Sequence, residues 1–533
     1  MNSYRMVVVG LLAFGLAACS GGGVDLKVET VDNSVDNSVS NGGGGGVANP
    51  CASYTVAASG EVRQGTFDGT NCIYGSSFVG KNNPLVQDVA IPFISGAHIF
   101  EDSLFVGENT ATGGAPAGGE GPVLTIAAGN TLVFSTSADY VLINRGSQII
   151  ANGSPSAPIT FTAFADAVTG TAGANDVQLW GGMVINGNGI TNNCTDEERA
   201  ADQCNVVSEG QPSNYGGNDN ADSSGILRYV IVKHSGYEVA PGDELNGITF
   251  NTVGSGTVVE NVEVYSTYDD GMEFFGGAVS PKNVVILYAR DDSLDYSDGF
   301  VGTIENALII HYPTDGNRCI EGDNIGSGRS DQGEPLDTAP IASPTFRNMT
   351  CITSNFDVGT HGDSEGPLVR QGGQIRIEDS IVFSGYGSQF VGLPSNECLE
   401  VESDVSLGFA AAGESNLHSL LIGCEEPAKG TMPNGDELVE WVLGASPSTN
   451  GADYSFNTDD VVIVDPNNPN TCILDPGTFY TCATLVDADG NAFEMSPASG
   501  QVGAVISTND WTVPWAFGLR ASNADEPLWF SGQ

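Results

Sequence analysis

The sequence predicts an all-β protein, a right-handed parallel β-helix with capping regions at its ends. Three asparagine-containing segments, which begin at Glu260, Lys282 and Glu305, align at periods of 22 and 23 residues. An aspartate follows each asparagine by nine residues, so two independent features keep the same period. Elsewhere, short runs of Val, Ile, Thr, Phe and Tyr alternate with Gly, Asn and Asp, which is typical of strands and turns.

The first 18 residues have the features of a bacterial lipoprotein signal peptide. Arg5 precedes an apolar run of 13 residues, and the segment leads into Leu-Ala-Ala-Cys at Cys19, which resembles a lipobox. The run is too short to span a bilayer. We therefore expect Cys19 to begin the mature chain and to carry the lipid, a palmitate-type acyl anchor. Ser20 in place of an aspartate favours the outer membrane, at the cell surface or on its periplasmic face.

The rest of the chain divides by composition. Residues 19–50 are rich in Gly, Asn and Ser and cannot form a core, so we expect a flexible tether. Residues 51–120 should cap the N-terminal end of the solenoid. Residues 121–390 should form its coils, and residues 391–533 should be a β-rich region that caps or flanks the other end.

The cysteines predict five disulfide bonds. The chain has 11 cysteines, and removing Cys19 leaves an even number, as expected in an oxidising compartment. Their order suggests pairing of consecutive members, although sequence alone does not fix the connectivity. The candidate pairs are Cys51–Cys72, Cys194–Cys204, Cys319–Cys351, Cys398–Cys424 and Cys472–Cys482.

The charge balance restricts the partners. The chain has 17 Lys and Arg against 66 Asp and Glu, a formal net charge of −49. Nucleic acids and anionic lipid surfaces would repel such a chain, and cations are its natural counterions. We therefore expect no nucleic-acid partner.

The repeated asparagines predict a ladder along one corner of the coils. Asn261, Asn283 and Asn306 should stack, because neighbouring coils lie about 4.8 Å apart and side-chain amides can hydrogen-bond along that direction. The competing interpretation is that asparagine is simply common in turns.

The repeated aspartates predict a calcium site. Asp269 with Asp270, Asp291 with Asp292, and Asp315 recur at one coil position, and further acids follow three residues later. Carboxylates this close repel each other unless a cation lies between them, and Ca²⁺ prefers such oxygen ligands. The competing interpretation is a solvated turn. The candidate ligands are Asp270, Glu273, Asp292, Asp295 and Asp315.

Other candidate sites are weaker. The loops at residues 218–222 and 487–491 have spaced acidic residues but lack the full EF-hand spacing. The five histidines show no metal-binding spacing, so no transition-metal centre is predicted. Aromatic residues near the acidic column could stack on a glycan or face a partner protein, and about half should lie in the core. They are Tyr265, Tyr268, Phe274, Phe275, Tyr288 and Tyr296.

The order of several motifs resembles a known group of proteins. WGGMVINGN begins at Trp180, DSSGILRYV at Asp222 and YDDGMEFFGG at Tyr268, with VGA at Val502 and DWT at Asp510. Together they resemble exported bacterial parallel β-helix proteins, often lipoproteins, that occur near TonB-dependent receptors. The resemblance covers roughly residues 120–530. It implies the fold, a surface location and a TonB-dependent receptor as candidate partner, and it assigns no activity.

These observations favour a lipid-anchored binding or accessory protein, stabilised by calcium. A polysaccharide hydrolase or lyase of the pectinase-like β-helix type is the first alternative. Paired carboxylates could support inverting hydrolysis, and Arg290 could act as the base of a lyase. However, the Asn-Thr-Asp and Gly-His-Gly motifs of polygalacturonases are missing, so we assign no catalytic residue. A structural or adhesion protein is the second alternative.

Overall fold

The computed structural model describes residues 48–531 except 211–212, 241, 355, 357–358, 385–395, 425, 444–457, 464–471, 487–491 and 493–496. The chain divides into two units, Met1–Ala48 and Asn49–Gln533, and the account below concerns the second. The predicted signal peptide, Cys19 and the loop at 487–491 lie outside the described residues. Among the residues described, no helix is long and apolar enough to cross a membrane.

The prediction of a parallel β-helix is confirmed. One wall of the coils, sheet 1, has nine strands, and each neighbouring pair is parallel. Its strands are Leu104–Val106, Val141–Ile143, Met183–Asn186, Ile248–Asn251, Met272–Phe275, Leu294–Ser297, Ile320–Gly322, Leu368–Val369 and Glu400–Val401.

The other walls form sheet 2, which has 17 strands. Its longest strands bend in the middle, so each supplies two sides of a coil. Where the bend is wider, the two halves are separate strands: Thr303–Ile310 pairs with both Thr345–Arg347 and Thr350–Ile352. The other strands are Thr66–Phe67, Cys72–Tyr74, Val89–Ile91, Ala97–Phe100, Val123–Ile126, Thr131–Phe134, Gln148–Asn152, Ile159–Ala163, Gly225–Lys233, Val258–Thr267, Lys282–Ala289, Arg376–Phe383, Asn416–Gly423 and Thr458–Ile463.

Short antiparallel hairpins and helices decorate the coils. The hairpins pair Ser53–Thr55 with Val62–Gln64, Val206–Val207 with Asn214–Tyr215, Glu238–Ala240 with Asp243–Glu244, and Cys472–Leu474 with Thr481–Val486. The α-helices are Phe164–Ala167, Asp196–Ala200, Ser327–Ser330, Asp404–Ala411 and Leu438–Val442, and Thr112–Gly114 is a 3-10 helix.

The predicted asparagine ladder is confirmed at the bend of the long strands. Asn283 Nδ2 donates to Asn261 Oδ1 at 3.0 Å, and Asn306 Nδ2 donates to Asn283 Oδ1 at 2.7 Å. Asn348 extends the ladder with a bond of 2.9 Å to Asn306. All four residues have φ between 53° and 58°, a left-handed conformation that asparagine tolerates better than most residues. The ladder therefore fixes both the bend and the register of these coils.

The five predicted disulfide bonds are confirmed, each between consecutive cysteines. Inside the coils, apolar side chains stack from one coil to the next. The ring centroids of Phe250 and Phe274 lie 5.2 Å apart, and those of Phe274 and Phe300 lie 4.6 Å apart. Such stacking builds one continuous core that no single coil could bury alone.

The coils extend beyond the predicted range of 121–390. Parallel pairing already joins Cys72–Tyr74 to Ala97–Phe100, and it continues to Thr458–Ile463. The sequence did not reveal these coils, because they lack the repeated Asn and Asp that marked the central ones. Part of each predicted cap is therefore solenoid.

Residues 497–531, here called the C-terminal strap, lie along the outer side of sheet 2. Leu287, Ile310 and Ile381 point outward from their strands and are buried in one cluster with Trp515 and Phe530 of the strap. The strap thus flanks several coils instead of closing an end.

Candidate functional site

The outer face of sheet 1 carries a column of acidic side chains. Met272 and Phe274 point into the core, so the alternation of the strand turns Glu273 outward. Glu273 pairs in register with Asp295, and Asp295 with Glu321. Three consecutive coils therefore place a carboxylate at one position of the same face.

The turn before these strands adds a second acidic row. The backbone N–H of Asp270 donates to Asn246 Oδ1 at 3.1 Å, and that of Asp292 donates to Asp270 Oδ1 at 3.0 Å. The N–H of Arg318 then donates to Asp292 Oδ1 at 2.8 Å. One oxygen of each aspartate is thus used to hold the next coil.

The two rows line a cavity of about 300 Å³, here called the acidic groove. A neighbouring cavity of about 380 Å³ shares five lining residues with it, so the two are parts of one cleft; the shared residues are Glu209, Glu273, Asp295, Glu321 and Arg370. The groove is lined by nine carboxylates, one guanidinium and one amide, from Glu209, Glu244, Asp269, Asp270, Glu273, Asp291, Asp292, Asp295, Glu321, Arg370 and Asn317.

The carboxylates are close enough to share cations. In three groups of three residues, one oxygen from each lies within 4.8 Å of the others. These groups are Asp270 with Glu273 and Asp295, Asp270 with Asp291 and Asp292, and Asp292 with Asp295 and Glu321. The structure therefore brings together four of the five predicted ligands.

Burial makes this arrangement costly for ionised groups. Asp270 is 6% exposed and Asp292 is 4% exposed. Burial first, and the neighbouring carboxylates next, hold the pKa values of Asp270, Glu273 and Asp295 well above their ordinary range. The Oδ1 atom of Asp295 is buried and accepts no hydrogen bond from the described residues.

The basic side chains nearby neutralise little of this charge. Arg370 contacts Glu321, and its Nε lies 3.2 Å from Asp323 Oδ1. Arg318 points to Glu365 and to Glu400. Among the described residues, Asp270 and Asp295 form no ion pair, although the charge of Arg370 still favours the ionised form of Asp295 and so lowers its pKa in part.

The structure corrects the prediction for Asp315. Its Oδ2 lies 3.1 Å from Arg290 Nη1 and accepts a hydrogen bond from Thr360 Oγ1. The repeat is longer here: 26 residues separate Asp292 from Arg318, against 22 between Asp270 and Asp292. Arg318 therefore occupies the position that Asp270 and Asp292 hold in the two preceding coils, and Asp315 pairs with Arg290 instead.

Other predicted features have structural roles. In the loop at 218–222, Asp222 Oδ2 accepts the N–H of Asn188 at 2.9 Å, and Asn220 Oδ1 accepts that of Ile190 at 2.8 Å. The side chains of this loop therefore hold the backbone at Asn188 and Ile190 in place. Of the aromatic residues, Tyr265, Phe274, Tyr288 and Tyr296 are buried, whereas Tyr268 and Phe275 are half-buried.

Sequence reasoning missed several groove residues. Glu321 follows Arg318 by three positions, as Asp295 follows Asp292, so an alignment that allowed for the longer turn would have found it. Glu209 and Glu244 come from hairpins between the strands, where no period applies. Arg370 lies beside a strand too short to show a pattern.

Comparison with known proteins identifies the central part of the chain. A family model described as pectate-lyase like beta helix domain matches residues 112–410, more than half of the 533 residues. No curated protein and no solved structure gave a match.

Proposed function

The chain belongs to the pectate-lyase-like β-helix family, and we propose that it is a lipid-anchored surface binding protein whose acidic groove holds Ca²⁺. One observation carries the calcium assignment: three overlapping groups of carboxylates, each from two neighbouring coils, have oxygens within 4.8 Å of each other. Such a group is unfavourable unless the carboxyls are protonated or a cation bridges them.

The donor set fits a hard cation. Every group in the inner groove offers carboxylate oxygens, which are the ligands that Ca²⁺ prefers. The ion usually takes about six to eight oxygens, and water can supply those that the protein does not. Asp270 and Asp292 each accept a backbone hydrogen bond through one oxygen, which leaves the second oxygen to bind the ion. Asp295 Oδ1, buried and without a hydrogen bond from the described residues, is a further donor.

The anchor and the partner rest on other features. Cys19 and its lipobox support attachment to the outer membrane, and the glycine-rich tether supports a domain held clear of the lipid headgroups. The resemblance to proteins found near TonB-dependent receptors supports a role as accessory to such a receptor. A glycan is a candidate ligand of the cleft beside the bound ion.

Calorimetry tests the calcium site. The full chain, purified in mild detergent and stripped with EDTA, should bind Ca²⁺ saturably. Asp295→Asn should weaken that binding at least about tenfold, because it replaces a charged ligand at the centre of the groups. Glu305→Gln is the matched control, since Glu305 is acidic but pairs with Lys282 on another wall. Absence of saturable binding to the unmodified chain would refute the assignment.

Co-purification from the native outer membrane tests the role. A stoichiometric TonB-dependent receptor would support the accessory function. Recovery of the protein alone would instead favour an independent surface binder or a structural protein.

The family also supports an enzyme that acts on polysaccharides. The raised pKa values of buried carboxyls suit a general acid, and a neighbouring ionised carboxylate suits the base of an inverting hydrolase. A lyase is less favoured: although burial opposes the charge of Arg370, the carboxylates of Glu321 and Asp323 raise its pKa above the ordinary value. Arg290, the predicted base, lies against Asp315 and Tyr312. Release of sugar from a panel of neutral and acidic glycans, lost in Asp270→Asn, would establish catalysis.

A further inference from the structure

A histidine meets two aspartates at the rim of the acidic groove. A ring nitrogen of His361 and one oxygen each of Asp269 and Asp291 lie within 4.8 Å of one another. These residues come from three separate turns of the chain. None of the five histidines has a metal-binding spacing in the sequence, so the fold brings this group together.

The surroundings hold the group in place. His361 Nδ1 lies 3.1 Å from Asp291 Oδ2, and Asn317 Nδ2 donates to Asp291 Oδ1 at 3.0 Å. The ring of Tyr268 packs edge-on against the imidazole, with centroids 5.0 Å apart. Asp291 and His361 are therefore each held by a contact from outside the group, from Asn317 and Tyr268 respectively, as metal ligands usually are.

One polar atom of the group has no partner. His361 Nε2 is buried and makes no hydrogen bond with the described residues. A buried imidazole nitrogen without a partner is costly, and occupancy by a metal ion is one way to satisfy it. This observation is independent of the acidic residues.

We propose that Asp269, Asp291 and His361 form a second cation position, which takes a first-row transition ion such as Zn²⁺, Mn²⁺ or Co²⁺ in preference to Ca²⁺. Mixed imidazole and carboxylate donors suit these ions, whereas Ca²⁺ takes oxygen ligands. Three protein donors leave coordination positions for water or a ligand in the cleft. The position shares Asp291 with one of the inner groups, but its other two donors, Asp269 and His361, belong to none of them, so it does not require calcium there.

Cobalt spectroscopy tests the proposal on the full chain in detergent after EDTA treatment. Co²⁺ should give a saturable visible absorption band, and Zn²⁺ should displace it. His361→Gln should weaken Co²⁺ binding at least about tenfold, because it removes the nitrogen donor of the group, and the loss of an outer-shell partner alone costs about 10–100-fold. His418→Gln is the matched control, because His418 also stands in register between two acids, Glu378 and Asp459, on sheet 2.

Each outcome decides the question. Equal Co²⁺ affinity in His361→Gln and the unmodified chain, or no saturable Co²⁺ binding, overturns the proposal and leaves His361 as the ion-pair partner of Asp291. If His361→Gln does not fold, paramagnetically shifted imidazole resonances in the Co²⁺-loaded unmodified chain replace it, and their absence overturns the proposal. Asp295→Asn should reduce Ca²⁺ binding and spare Co²⁺ binding. If the unmodified chain binds Co²⁺ but not Ca²⁺, the calcium site is therefore refuted and this second position is not.

Discussion

Two columns of charged side chains run along the coils and follow opposite rules. On sheet 2, acids and bases alternate from coil to coil, and we call this the alternating column. On sheet 1, the column at Glu273, Asp295 and Glu321 is acidic throughout. The members of the alternating column are Arg228, Glu260, Lys282, Glu305, Arg347 and Glu378.

The alternating column is neutralised by direct ion pairs. Arg228 Nε lies 2.9 Å from Glu260 Oε2, and Lys282 Nζ lies 2.9 Å from Glu305 Oε1. These side chains are partly exposed, so each pair contributes little, on the order of 0.2–1 kcal/mol. The column shows that this fold can place a base in register with an acid.

The acidic column itself contains no basic residue, although Arg370 contacts its member Glu321. Its carboxylates are more deeply buried than those of the alternating column, and they need compensation more. Three of the 17 basic residues of the chain lie in the alternating column, which is partly exposed. The uncompensated negative charge is thus specific to the wall that carries the groove, which is the arrangement a cation site requires.

Converting one column into the other should have the largest effect. Asp295→Lys would place a base between Glu273 and Glu321, as Lys282 stands between Glu260 and Glu305. We expect Ca²⁺ affinity to fall at least about 100-fold and the metal-free protein to gain about 2 kcal/mol of unfolding free energy. Calorimetry and denaturation in EDTA measure the two effects. If Asp295→Lys were instead less stable in EDTA than the unmodified chain, repulsion between carboxylates would not be what distinguishes the two columns.

The carboxyl groups of the cleft should make the stability of the metal-free protein depend on pH. Burial raises the pKa of Asp323 to about 7 and raises those of Asp270 and Asp292 well above the ordinary range. The folded state therefore binds more protons than the unfolded state, whose carboxyls titrate near about pH 4. Stability of the metal-free protein should thus fall as the pH rises from about 4 to 7.

Thermal denaturation checks this sign. In EDTA, we expect a midpoint at least about 3 °C higher at pH 5 than at pH 8. Saturating Ca²⁺ should remove most of the difference, because the bound ion stabilises the ionised carboxylates. An unchanged difference with Ca²⁺ would place the titrating groups outside the metal site.

The asparagine ladder should matter to both columns, because it sets the register of their coils. Asn283→Ala removes two amide hydrogen bonds and forces alanine into a φ of 56°. We expect a loss of about 2 kcal/mol, and only about 1 kcal/mol in the control Asn283→Gly, which keeps the φ without strain. Equal losses in the two variants would show that backbone strain contributes nothing.

Replacing a base of the alternating column with an acid should have the smallest effect. Lys282→Glu would leave three acids in succession on an exposed wall, at a cost of about 0.5–1 kcal/mol that high salt reduces. We expect no calcium binding there. A new calcium site in this variant would show that acids in register suffice without the depth of the groove.

The period of the sequence revealed the central coils because one bend residue recurs in each. Asn261, Asn283 and Asn306 mark the ladder, and Asp270 and Asp292 mark the turn at a constant distance from it. The asparagine amides bond to each other from coil to coil, so asparagine must repeat. In the turn, each side-chain oxygen accepts the backbone N–H of the next coil, so the position needs an acceptor, which Asn246, Asp270 and Asp292 all supply.

What the period missed has an equally physical cause. Turns and inserted hairpins vary in length without disturbing the strands, so the acids they carry shift relative to the repeat. Asp315 was misplaced for this reason, and Glu209 and Glu244 were not found. His361 joins the groove from a loop, and its neighbours are set by the fold and not by spacing.

The C-terminal strap changes how the whole solenoid should come apart. In a bare array of coils each repeat touches only its neighbours, so the ends can fray one coil at a time. The strap instead bonds to Glu263, His311, Thr350 and Asp379, which belong to different coils. Its contact from Phe517 to Glu263 spans 254 positions. Closing such long-range contacts is slow and couples distant coils. Unfolding should therefore be a single cooperative transition across the strapped coils, although they are built as a row of repeats.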